Sequence, residues 1–147
     1  RRLGGADEVI CSAEGDPVAA VLRVTGGEGA DVVITANSSV ETHAQALRMV
    51  RNRGCVNLFG GLPAGAPPIA LESNLIHYKE LTLTGSHGSV ARQHRLAVDL
   101  LAAGAIRAAD YITHTFPLDE IGAAFAAAEE RSGMKVIVQP HAAGGSA

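Results

Sequence analysis

Residues 56–88 read VNLFGGLPAGAPPIALESNLIHYKELTLTGSHG. Two apolar runs in this stretch, 56–59 and 81–84, pass straight into Gly60-Gly61 and Gly85. A buried parallel strand that ends in glycine leaves bare peptide groups at its carboxyl end. That is where open α/β sheets bind ligands, because no side chain blocks the approach. Two such ends so close together predict the floor of a cofactor crevice. The other chemistry-bearing types are scattered. The six histidines show no ligand spacing, and packing or surface roles are the default for them. Glu72, Glu80, Asp110 and Asp119 are accounted for by loops and caps, and no Ser-His-Asp spacing is convincing. Cys11 and Cys55 sit alone on apolar runs and read as reduced, buried core thiols rather than zinc ligands.

A chain of 147 residues is long enough to bury a real core. Apolar residues make up 47% of it but aromatics only 3%, with no Trp, so the core must be Ala, Val, Leu and Ile. Such a core suits helices packed on a parallel sheet. The net charge is −3 with both signs interspersed, and there is no basic stripe or aromatic ladder, which argues against a nucleic-acid partner. No apolar run reaches membrane-spanning length, so no membrane role is expected. A cytoplasmic location fits the two isolated cysteines. Arg1-Arg2-Leu3 reads as the end of a helix begun earlier, so a longer parent protein is expected. The tail 141–147 reads as flexible.

The elements that must position the glycines follow from periodicity. Residues 8–11 are a strand candidate. Asp16 caps a helix with Pro17 in its first turn, and Val18, Val21 and Leu22 share its face as far as Gly26-Gly27. DVVITA (31–36) is β-branched and continuous, as a buried parallel strand should be. Ser38 or Ser39 caps the next helix, lined by Val40, Ala44 and Leu47. Arg48, Arg51 and Arg53 crowd its carboxyl end and Gly54 stops it. Residues 55–59 are the next strand, 63–68 a loop, 74–78 an ordered link and 80–84 a further strand. A helix over 91–103 should bury Leu96, Leu100 and Ala103 and stop at Gly104. Residues 112–116 are extended. Asp119 caps a helix whose Ile121, Phe125 and Ala128 face the core, Gly133 ends it, and KVIVQ (135–139) is the last strand. The alternation is that of βαβ units.

In this order and spacing, five segments resemble the carboxyl-terminal part of the medium-chain alcohol dehydrogenase superfamily, nearest its zinc-dependent sorbitol and threonine dehydrogenase branch. They are LGGADEVI (3–10), GADVVITA (29–36), VNLFGGLP (56–63), NLIHYKELTLTGSHGS (74–89) and FPLDEIGAAFAAAEERSGMKVIV (116–138). The resemblance implies an α/β fold: a doubly wound parallel Rossmann sheet without its first βαβ unit over 1–88, and a segment over 89–140 that returns to a GroES-like catalytic domain. It implies NAD or NADP as cofactor, with the glycine-rich phosphate turn and the zinc ligands of the parent both outside this sequence. It also implies a small alcohol or polyol as substrate and a homo-oligomer, with dinucleotide domains joined edge to edge. The chain departs from the family at Gly4-Gly5, one glycine more than usual, and at Asn37-Ser38, where many members carry Thr-Gly or Ser-Gly.

The same resemblance assigns the cofactor contacts. Gly60, Gly61 and Leu62 fall under the nicotinamide ring. Gly85, Ser86, His87 and Gly88 offer backbone groups to its carboxamide, and Ala36-Asn37 lies near a ribose. Lys135 stands where the family often keeps a cation near the pyrophosphate, a solvated lysine being the alternative. No catalytic residue and no metal ligand is expected within the chain. Two rival readings are a zinc-free quinone or enoyl reductase of the same superfamily and a non-catalytic, nucleotide-binding Rossmann-like module.

Overall fold

The computed structural model describes residues 5–141, which divide into two compact units, Ala6–Gly88 and the residues from Ser89 on. The departure at Gly4 and most of the expected tail lie outside the described residues.

The first unit contains α1 (Pro17–Val24), β1 (Ala30–Thr35), α2 (Val40–Met49), β2 (Val50–Leu58), α3 (Ser73–Tyr78) and β3 (Thr82–Gly85). The three strands form a parallel sheet in the order β1-β2-β3. Each helix has a local cause. Asp16 accepts the amide of Val18 at 2.9 Å with Pro17 at the first helical position. The amide of Gly27 closes the other end of α1 onto the Leu22 carbonyl at 2.7 Å. Of the two serines, Ser39 is the cap of α2, accepting the amide of Thr42 at 3.4 Å.

Ala46, Leu47, Val50 and Val56 form the buried core, with Val33, Leu58, Leu71, Leu75, Ile76 and Leu81 packed around them. The aromatic-poor core is thus aliphatic, as the composition requires. Its covering helices lie on one face of the sheet. Along β1, Thr35 is buried and Val33 half-buried, while the alternate Val32 and Ile34 remain 56% and 57% exposed. DVVITA is therefore a one-sided strand among the described residues, not one buried on both faces. His43 takes a buried place on α2 beside Ala46 and Leu47, where Val40 and Ala44 were expected.

Several boundaries move. Residues 8–11 form no strand, because no described strand pairs with them, and they enter a tight turn through the Glu14 amide and Cys11 carbonyl at 3.1 Å. Cys11 is exposed and Cys55 half-buried, so neither is a fully buried core thiol. α2 stops at Met49, and Arg51 and Arg53 belong to β2, leaving only Arg48 in the helix's last turn. The cause is a bulge. Ala30 pairs with Val50 but Val32 with Cys55, so the β2 residues 51–54 stand opposite Asp31 alone. Arg53 adopts a φ of 60° within it. Gly54 is buried there, and a Cβ on it would strike the Val50 side chain and lie 2.9 Å from the Asp31 carbonyl oxygen. The link at 74–78 is the short helix α3.

The second unit contains α4 (Ala91–Ala102), β4 (Ile112–Pro117), α5 (Ile121–Glu129) and β5 (Lys135–Gln139). β4 and β5 pair in parallel, and α5 is the crossover packed on both. Thr113 fastens the pair: its Oγ1 accepts the amides of Met134 at 3.0 Å and Lys135 at 3.3 Å. Three expectations fail here. Asp119 lies in a short 3-10 turn, Leu118–Glu120, and α5 begins after it with no side-chain cap. Ile121 and Phe125 are exposed, and Ala124 is the buried residue of α5 because that small side chain faces the two strands. α4 ends at Gly104 as expected, but none of its residues is buried, Leu96 and Leu100 included.

Candidate nicotinamide floor

The sheet register aligns three strand ends. Thr35 pairs with Leu58, and Leu58 with Gly85, so β1, β2 and β3 finish in one row. Ala36-Asn37, the segment from Gly60 to Leu62, and Ser86-His87 follow directly from that row. These segments, named from sequence separately, are consecutive along one edge of one unit. Lys135 is not among them: it starts β5 in the second unit, exposed, with its amide on Thr113.

The residues of this row have different tasks. The amide of Gly60 donates to the Thr35 carbonyl at 2.6 Å. A Cβ on Gly60 would collide with the Asn37 carbonyl oxygen and lie 2.7 Å from the Asn37 nitrogen. Gly60 is therefore needed for the close approach of the two strand ends to each other. Gly61 differs: a Cβ there meets nothing within 4 Å. Gly61 is exposed, with Leu62 half-buried beside it. Asn37 is engaged at both ends of its amide, accepting from the Ser39 amide at 3.2 Å and donating to Thr42 Oγ1 at 3.2 Å. Its side chain thus organises the entry to α2.

At the end of β3 the amide of Ser86 is spent on the Leu58 carbonyl at 3.2 Å, and its hydroxyl donates to Asn57 Oδ1 at 3.1 Å. The amides of His87 and Gly88 have no hydrogen-bond partner among the described residues. Two successive free N–H groups beside an open glycine surface can accept a planar ring and meet an acceptor oxygen on its rim. Of the four residues whose backbone the sequence singled out, Ser86 is spent on β2, and His87 and Gly88 keep their amides available.

Two participants escaped that reasoning. Thr35 is 2% exposed, ties β1 to Gly60 through its carbonyl, and leaves its hydroxyl oxygen without a partner among the described residues. Asn57 anchors Ser86, and its signal in the sequence was a lone polar residue inside the apolar run VNLF. Among the described residues, no three His, Cys, Asp or Glu side chains gather where they could hold a metal ion.

Residues 1–103 match the family model described as "Zinc-binding dehydrogenase", and the chain belongs to that family. It is 32% identical over 138 residues to the L-threonine 3-dehydrogenase of Bacillus licheniformis, covering 92% of this chain and 39% of that protein. Among solved structures, an alcohol dehydrogenase from Thermus sp. ATN1 is 30% identical with a TM-score of 0.75, over 88% of this chain and 38% of that one. A protein from Sinorhizobium meliloti 1021, described as a zinc-binding dehydrogenase bound to NADP, is 32% identical with a TM-score of 0.75, over 95% and 37%. The chain thus spans between 27% and 39% of the length of such curated relatives. Its α/β architecture with parallel strands is that of the corresponding part of these dehydrogenases.

Proposed function

We propose that this chain supplies the nicotinamide end of the cofactor site in a longer NAD- or NADP-dependent, zinc-type dehydrogenase that interconverts a secondary alcohol or polyol and its ketone. The observation that carries the reading is the level row of strand ends, with a bare Gly61 and free amides at His87 and Gly88. When bound, the nicotinamide supplies a C4 position that takes or gives hydride. The chain's own part is positional. Gly61 and Leu62 pack one face of the ring, which leaves the other face for the alcohol. The amides of His87 and Gly88 donate to the carboxamide oxygen and fix which face that is. Asn37 and Gly60 hold the strand ends at the right separation. On this reading residues 1–88 belong to the dinucleotide domain and 89–140 to the segment that returns to the catalytic domain. Zinc and its ligands come from elsewhere in the parent, and the 147-residue chain alone is inactive.

The same reading places the enzyme in the cytoplasm, consistent with two unbridged cysteines, and no described helix is long and apolar enough to cross a membrane. β3 is an edge of the three-stranded sheet and exposed along its length, which supports strand-to-strand pairing between subunits. Equilibrium titration of the intact enzyme with NADH and NADPH tests the proposal. Saturable binding of one of them, weakened by Gly61→Ala, is the expected result. A protein that binds neither sinks it.

A further inference from the structure

We infer that Asn57 is a positioning residue for the carboxamide end of this floor, acting through Ser86; the inference rests on the cofactor reading above. Asn57 lies in β2, one residue before the end of its pairing with β3, and it pairs in register with Thr84. Asn57 is half-buried, and its side chain is a polar interruption of the apolar run VNLF. Here it is used for one bond, accepting the Ser86 hydroxyl at 3.1 Å. Ser86 is therefore held to β2 twice, by its amide on the Leu58 carbonyl and by its hydroxyl on Asn57. Its backbone and its side-chain rotamer are both fixed.

The consequence falls on the next two residues. His87 and Gly88 follow the last strand pairing, lack partners for their amides among the described residues, and are exposed. Gly88 has a φ of 64° and open space where a Cβ would stand. Nothing in the loop itself aims these donors. Their direction is inherited from Ser86, the last anchored residue before them. Without the Asn57 bond, Ser86 is free to change rotamer and the amides of His87 and Gly88 spread over more orientations. Binding of a group that needs both donors at once then weakens. Asn57 touches neither ring nor substrate, and its effect is confined to the ligand's carboxamide end.

The test compares two probes on the intact enzyme: the reduced dinucleotide that the wild type prefers, and ADP-ribose, which lacks the nicotinamide. The variants are Asn57→Ala, Ser86→Ala, their combination, and Asn57→Asp, which keeps an acceptor oxygen. Loss of one hydrogen bond predicts a Kd for the dinucleotide raised about fivefold in each alanine variant. The double variant should be no weaker than either single one, Asn57→Asp should restore binding, and the Kd for ADP-ribose should stay within about twofold. The inference is overturned if dinucleotide binding is unchanged in Asn57→Ala, or if ADP-ribose weakens in parallel, which marks general damage to the sheet. A wild type that binds ADP-ribose but gains nothing from the nicotinamide also overturns it. A wild type that binds neither probe overturns the cofactor reading itself.

Discussion

The amide of Gly60 and the carbonyl of Thr35 meet at 2.6 Å, which joins the end of β2 to the end of β1 just where both strands stop pairing. The contact is possible because Gly60 has no side chain: a Cβ would collide with the Asn37 carbonyl oxygen and sit 2.7 Å from two further Asn37 backbone atoms. Backbone cannot yield as a flexible side chain can. Gly60→Ala is therefore expected to cost about 2 kcal/mol or more in stability, the upper part of the usual overpacking range. Urea denaturation of the intact enzyme measures it, and a loss under about 0.5 kcal/mol contradicts the geometry.

Gly61 gives the opposite outcome from the adjacent position. Its Cβ would meet nothing within 4 Å, so Gly61→Ala should leave stability within about 0.5 kcal/mol of wild type. The added methyl group rises instead into the open surface assigned to the ring. Cofactor binding should weaken about tenfold, equivalent to roughly 1.4 kcal/mol. Paired melts and cofactor titrations of the two alanine variants separate a glycine kept for folding from one kept for binding. Equal effects on both properties in both variants would show that the division is wrong.

That division also shows what sequence can and cannot carry. The glycine-ended strands, the Asp16 cap and the βαβ order depend on residue type and local spacing, and each has its counterpart in the fold. Which glycine meets Asn37 depends on strand register, which is set by the 51–54 bulge and is invisible in the pattern. The free amides at His87 and Gly88 are likewise the remainder after β3 pairs and Ser86 turns back onto β2. Faces were misjudged where cover is one-sided: Val32, Ile34, Leu96 and Phe125 fit a buried pattern, yet remain exposed among the described residues. Apolar periodicity says which residues share a face, not whether anything packs on it.

Thr35 carries a second, separable contribution. Its hydroxyl is buried at 2% residue exposure and has no partner among the described residues, while its carbonyl holds Gly60. Thr35→Val keeps the shape and the carbonyl and removes the unpaired oxygen. The expected result is a gain of about 1 kcal/mol, since an unsatisfied buried hydroxyl carries its desolvation cost uncompensated. A loss of similar size would instead reveal a buried water bonded to that oxygen. Differential scanning calorimetry distinguishes the two.

The caps of α1 and α2 can be compared directly. Asp16 accepts the Val18 amide at 2.9 Å, whereas the Ser39 cap of α2 is longer at 3.4 Å. Asp16→Ala is expected to destabilise by about 1 kcal/mol, and Ser39→Ala by about half of that. A larger loss for Ser39→Ala than for Asp16→Ala would mean that bond length is a poor guide to the two caps.

The uncovered sheet face makes the last prediction. Val32 and Ile34 stand side by side on β1, each more than half exposed, on an edge strand of the three-stranded sheet. An apolar strand edge with an apolar face is a template for association. The 147-residue chain expressed by itself should therefore bind hydrophobic dyes and aggregate on heating. Val32→Thr with Ile34→Thr should suppress both effects at little cost in secondary structure. Threonine keeps the β-branched shape that suits the strand, and these side chains leave little water-excluded surface to lose. In the intact enzyme the same pair should be destabilising if another part of the protein covers that face. A cooperative, reversible melt of the unmodified 147-residue chain would show that the face is harmless as it stands.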